Sequence, residues 1–218
     1  IALALEPEPC CQLETIAETV AFFERHLFRQ RVPGLDASAS EAALRRHVGV
    51  CVDTCHMAVE YETPRDVLAA LATQGIRVVK IQVSAGLAAT IESAADLDGL
   101  RAFADDVYLH QVVERTPRGL VRWTDLPAAL DEATREFLPA APGELPRREW
   151  RVHFHVPLFR ERLGRFASTQ AYVRELLALV RTQLPTSQVE VEIYTWDVLP
   201  EEFRPEPIAD AVARELAW

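Results

Sequence analysis

Five short apolar runs, at residues 1–5, 48–52, 76–83, 152–156 and 189–194, dominate the pattern of this chain, and each ends in polar side chains. The first two are continuously apolar, as parallel strands covered on both faces are. The last three alternate with polar groups, which directs one face of each toward a cavity. Helix-like stretches separate the runs, so the sequence predicts βαβ units and a parallel sheet.

The helix signals are local and mechanical. Ile16, Val20, Phe23 and Leu27 share one face of a stretch over 13–27. Ser38 with Glu41 makes a capping-box pattern ahead of 42–46. Thr63-Pro64-Arg65-Asp66 reads as a helix start with Pro at the first helical position, and Gly75 as its stop. Ser168 or Thr169 can cap a helix running to Leu184, with Tyr172, Leu176, Val180 and Leu184 on one face. One section breaks the rhythm. Thr116-Pro117-Arg118-Gly119 is a turn sequence between residues 107–114 and 120–123, so a hairpin-like insertion is expected at about 105–124. Residues 139–149, rich in Pro and charge, read as a loop.

What stands at the strand ends carries the chemistry. Glu6 follows the first run, Asp53 and His56 the second, and Gln82 and Ser84 close the third. His153 and His155 lie two apart and hence on one strand face, as do Glu190 and Glu192. In a parallel barrel these ends would open on one rim and converge. Crowded carboxylates repel one another, and a divalent cation relieves the cost of burying them. Two or three carboxylates with an imidazole suit Mn, Zn, Co, Fe or Mg without choosing among them. Such an ion polarises a carbonyl or activates water. With a spare carboxylate nearby it supports proton transfer next to a carbonyl, and Glu6 and Glu192 are the natural pair for that step.

Composition narrows the partners. Lys and Arg number 23 against 33 Asp and Glu, a net charge of -10, and no basic cluster is long enough for a nucleic-acid face. No apolar run approaches the roughly 20 residues of a membrane helix, so no membrane insertion is expected. Nothing reads as a signal peptide. Cys10, Cys11, Cys51 and Cys55 do not form a zinc-ribbon spacing; buried small hydrophobes in a reduced, cytoplasmic protein is the plain reading. The chain opens on Ile1 inside a strand-like run, which suggests a preceding segment.

Four stretches resemble a known family. Asp53-Thr54-Cys55-His56 looks like the strand end of xylose-isomerase-like sugar epimerases. Together with the run through Glu62, Lys80-Ile81-Gln82-Val83-Ser84, His153-Phe154-His155-Val156-Pro157 and Glu192-Ile193-Tyr194-Thr195-Trp196-Asp197-Val198-Leu199-Pro200, it is similar to EboE-type metabolite traffic proteins. The resemblance implies a TIM (β/α)₈ barrel, with residues 1–218 as its C-terminal, five-strand part. Five strands cannot close eight. A missing N-terminal barrel segment or a partner chain would then supply the rest, unless the sheet is open.

The resemblance also implies one divalent metal ion held by Glu6, Asp53 and Glu192. The family's histidine ligand falls on Gln82 by distance and on His155 by residue type; His155 is preferred. His56, Gln82, His153 and Trp196 become substrate contacts. The implied activity is isomerisation or epimerisation of a small polyhydroxylated or carbonyl metabolite, with Glu6 and Glu192 catalytic. The alternative is a non-enzymatic binding or traffic factor that keeps the pocket.

Overall fold

The computed structural model describes residues 1–137, 147–184 and 188–218. In chain order the strands are β1 (Leu3–Leu5), β2 (Val48–Asp53), β3 (Val78–Val83), β4 (Ala85–Ile91), β5 (Val112–Thr116), β6 (Gly119–Trp123), β7 (Arg148–Val156), β8 (Arg162–Leu163), β9 (Phe166–Ser168) and β10 (Gln188–Val191). The α-helices are α1 (Ile16–Phe22), α2 (Ala37–His47), α3 (Thr54–Val59), α4 (Pro64–Thr73), α5 (Ala94–Leu100), α6 (Leu126–Phe137), α7 (Gln170–Gln183) and α8 (Ile208–Ala217).

The strands form two sheets. One is parallel and four-stranded, in the order β1-β2-β3-β10. The other has six strands, β6-β5-β7-β4-β9-β8, and every pairing in it is antiparallel. This corrects the barrel expectation. Four of the five anticipated runs do lie in one parallel sheet. The fourth run, 152–156, is the end of β7 and pairs antiparallel with β4 and β5 instead. The physical reason lies just after β3. No helix follows it; only Ser84 separates β3 from β4, so the chain passes directly from one sheet into the other. The count of missing strands rested on barrel closure, which this arrangement does not require.

Hydroxyls brace that crossing. Ser84 N donates to Thr54 Oγ1 at 2.8 Å, and Thr54 Oγ1 in turn lies 2.5 Å from the Ser84 carbonyl. The two sheets share one hydrophobic core. Ile81 and Val83 of β3, Leu87 and Ile91 of β4, Val152 and Phe154 of β7, and Leu176 of α7 belong to a single buried cluster. Apolar burial of this kind is the main favourable term holding such layers together.

The local signals held with adjustments. Thr63 caps α4 through Asp66 N with Pro64 in the first turn, and Gly75 past its end takes φ 61°. The stretch over 13–27 is α1 continued by a π-helical turn, Phe23–Leu27, and its start is a full capping box between Thr15 and Glu18. Asp36, not Ser38, caps α2, accepting from Ala39 N at 2.8 Å. Helix α7 begins after Thr169, whose hydroxyl accepts from Gly86 N rather than capping the helix. The hairpin is present as β5–β6, but it is not peripheral: β5 is zipped to β7 and is part of the second sheet. Of the loop read at 139–149, residues 139–146 lie outside the described residues, and Arg148 opens β7.

Candidate metal centre

The parallel sheet gathers its C-terminal ends on one edge, where ligands sit in open α/β sheets. Glu6 follows β1, Asp53 ends β2, Gln82 lies across from both Asp53 and Glu190 in register, and Glu192 follows β10 with its N–H on the Val83 carbonyl at 3.0 Å. Oxygens of Glu6, Asp53 and Glu192 all fall within 4.8 Å of one another. Three residues spread over 187 positions of chain meet because strand register brings them together.

The Gln82 side-chain amide stands in the middle. Its Nε2 lies 2.8 Å from Glu6, 3.3 Å from Asp53 and 2.5 Å from Glu192. Its Oε1 accepts from Lys80 Nζ at 2.6 Å, and Lys80 also pairs with Glu190 at 2.7 Å. One amide has two N–H groups, so it cannot serve three carboxylates equally. The electrostatics reflect the excess of acid. Burial, together with the hydrogen bond to Asp53 and that carboxylate's charge, pushes the Glu192 carboxyl up to about 7. Burial also raises Glu6, with His56 opposing and Asp53 adding to the shift.

Asp53 behaves differently because its two oxygens have different partners. Burial works against its charge, but His56, His155 and the Ser84 hydroxyl outweigh it and hold the carboxyl below the usual carboxylate range. Oδ1 accepts from Cys55 N at 2.7 Å, His56 N at 3.0 Å and Ser84 Oγ at 2.7 Å. Asp53 is thus the N-cap of α3 on one side. Oδ2, touched at 3.3 Å by Gln82, is the oxygen left to face a cation.

The second sheet contributes imidazoles through β7. His153 and His155 come from one face of that strand, and both are buried. His56 joins them from the first turn of α3, its Nε2 3.0 Å from His153 Nε2. A carbonyl oxygen can only accept, so the Pro7 carbonyl 3.0 Å from His56 Nδ1 fixes the proton on that nitrogen. Gln111 meets His153 Nδ1 at 2.7 Å, and the Tyr194 hydroxyl lies 3.3 Å from its Nε2. Burial lowers His155 to about 4 and His153 well below the ordinary histidine value, so both rings are neutral at physiological pH. Neutral imidazole is the metal-ligating form.

These donors make further groups able to hold a metal ion: Asp53 with His56 and His155, Cys55 with His153 and His155, and Glu8 with His56 and His153. Asp53 therefore belongs to the carboxylate group and to a histidine group. His155 falls in the histidine groups and not with Glu6 and Glu192, whereas Gln82 takes the central place among the carboxylates. Trp196 is packed in the core and does not line the cavity. That cavity, about 500 Å³, opens beside Glu6, Glu8, His56, His153, Glu192 and Tyr194, under the exposed residues Val107, Tyr108 and Leu109.

Three participants were not singled out from sequence: Lys80, Gln111 and Glu8; Cys55 reads there as a packing residue, with zinc ligation the lesser alternative. Glu8 follows the chosen Glu6 by two, so a search of the whole strand-end loop would have found it. Gln111 carries no local signal, because its place depends on the antiparallel pairing of β5 with β7. No helix among the described residues is long and apolar enough to cross a membrane. No family model, curated protein or solved structure matches the chain.

Proposed function

We propose that the edge formed by Glu6, Asp53 and Glu192 binds one divalent cation and that the adjoining cavity takes a small polyhydroxylated or carbonyl metabolite, whose carbon-bound proton the site moves. The observation that carries this reading is the meeting of three carboxylates within 4.8 Å beside a cavity of about 500 Å³. That volume lies in the range of small-ligand sites. The donor set is oxygen-rich, which suits Mg or Mn, with the imidazoles extending the choice toward Zn, Co or Fe.

When bound, the cation would polarise a substrate carbonyl. The chain's own groups supply the rest. Glu192, with a proton affinity near neutrality, is suited to take a proton and give it back, since an acid–base group works best with a pKa near the operating pH. Glu6 is the second carboxylate within reach. His56, backed by the Pro7 carbonyl, presents an imidazole edge to substrate hydroxyls at the cavity wall. Asp53, pinned by its helix-capping bonds, stays charged as an anchor. The resemblance of Asp53-Thr54-Cys55-His56 to sugar epimerases is in keeping with this chemistry, whereas the resemblance to EboE-type proteins implies no reaction.

The test is exchange of substrate C–H for deuterium in heavy water across a panel of sugars and hydroxy-carbonyl compounds. Exchange stopped by EDTA and by Glu192→Gln supports the proposal; a panel with no exchange in metal-loaded protein removes the proton-transfer step. One observation favours a second reading, a binding or traffic factor without turnover. The Gln82 amide already bonds to the carboxylates, as a substitute for a cation. That reading expects metabolite capture in calorimetry, unaffected by EDTA and without exchange.

A further inference from the structure

Behind the carboxylate edge lies a donor set of another kind. We propose that Cys55, His153 and His155 form a second metal site, selective for a thiophilic ion such as zinc, which is separate from the carboxylate centre and does not depend on it. A thiolate sulfur and two ring nitrogens within 4.8 Å of one another are the donors such an ion prefers, and Mg or Ca does not. Cys55 is fully buried, and His153 and His155 are 4% and 1% exposed.

The independent pointer to a ligand is His155. Its Nδ1 faces the Glu192 main-chain carbonyl at 3.3 Å, and a carbonyl can only accept. The ring proton therefore sits on Nδ1, and Nε2 is a bare lone pair. That Nε2 is buried and has no hydrogen-bond partner. A buried acceptor without a donor is left unfavourably desolvated. An imidazole held through one nitrogen by a carbonyl, with the other nitrogen turned inward, is the usual posture of a metal-ligating histidine. His153 differs: its Nδ1 meets Gln111 at 2.7 Å, and its Nε2 lies 3.0 Å from His56 Nε2 and 3.3 Å from the Tyr194 hydroxyl, contacts that a bound ion would replace.

The backbone opposite also makes room for sulfur. A Cβ at position 86 would stand 2.9 Å from Cys55 Sγ and 3.2 Å from the Val152 carbonyl, so Gly86 of β4 is what admits the thiol there. Two of the other three thiols face elsewhere: Cys51 Sγ turns toward Gln82 Oε1 at 3.6 Å, and Cys10 Sγ toward the Trp123 carbonyl. His155 also neighbours Asp53 and His56, but Asp53 Oδ1 already accepts three hydrogen bonds and Oδ2 meets the Gln82 amide that also bonds to Glu6 and Glu192. On binding, the Cys55 S–H proton passes to solvent water as the metal–sulfur bond forms. Three protein donors leave a tetrahedral ion one position for water or a ligand oxygen, reached from the cavity that His153 lines.

Cobalt(II) added to metal-free protein is the probe, because sulfur ligation gives a near-ultraviolet charge-transfer band that oxygen and nitrogen ligands do not. A variant with Cys10, Cys11 and Cys51 changed to Ala retains Cys55 alone and is expected to develop the band in full. Cys55→Ala and His155→Ala, each in the otherwise native chain and checked for folding by circular dichroism, are expected to lose it. Glu192→Gln, which disables the carboxylate centre, is expected to keep it, so the two sites fail separately. Absence of the band in native, folded protein, or its survival in Cys55→Ala, overturns the proposal.

Discussion

At the scale of single residues, the decisive position is Gln82. From sequence it reads as a substrate contact, because an amide at the end of an alternating strand most simply lines a pocket. The fold puts it instead among Glu6, Asp53 and Glu192. Its amide then has a stabilising role that a cation can take over. Gln82→Ala is expected to lower metal-free stability by about 1–3 kcal/mol, from the lost hydrogen bonds between its amide and charged carboxylates. Manganese(II) should restore more of the melting temperature in that variant than in the native chain. Equal manganese shifts in both proteins would show that the amide and a cation do not share a place. Glu6, Asp53 and Glu192 were legible because carboxylates at strand ends carry a pattern. Cys55 reads from sequence as a packing residue with zinc ligation the lesser alternative, because a buried cysteine looks the same whether it packs or ligates.

At the scale of elements, β1, β2, β3 and β10 were legible from apolar runs, and α4 from its Thr-Pro start and Gly stop. What was missed is β4, the sequence Ala-Gly-Leu-Ala-Ala-Thr-Ile, whose small residues carry little strand propensity. Its identity comes from packing: Leu87 and Ile91 are fully buried, and it is held between β7 and β9. Missing it turned an antiparallel sheet into an imagined set of βα units. The close approach at its start is testable. Gly86→Ala is expected to cost about 1–3 kcal/mol by overpacking against Cys55 Sγ and the Val152 carbonyl, read from urea unfolding. A neutral result would mean the backbone there has slack that the described packing denies.

At the scale of the whole molecule, stability depends on acids outside the site. The Glu215 carboxyl on α8 accepts from Leu158 N at 2.9 Å, its other oxygen has no partner, and burial pushes it up to about 7. Burial does the same to Glu62. A carboxyl that holds its proton more tightly folded than unfolded gives stability that is full below about pH 4.5 and lost as pH rises to about 7. Glu215→Gln keeps the acceptor for Leu158 N and removes the titration. Its melting temperature is expected to match the native chain near pH 5 and to exceed it near pH 8; a variant that is worse at pH 8 would assign the carboxylate a favourable partner. His155, lowered to about 4, acts oppositely, its contribution present above about pH 6.5 and lost as pH falls toward 4.

The central claim, that three carboxylates on the parallel-sheet edge take one divalent ion, is tested most directly by titrating metal-free protein with manganese(II) while following the free-ion signal in electron paramagnetic resonance. Asp53→Asn is the matching variant, because an Asn oxygen can keep the α3 cap while the charge is removed. The result expected is one saturable site in the native chain, lost or weakened at least tenfold in Asp53→Asn and in Glu192→Gln. No saturable binding in the native chain, or equal binding in all three proteins, would contradict it.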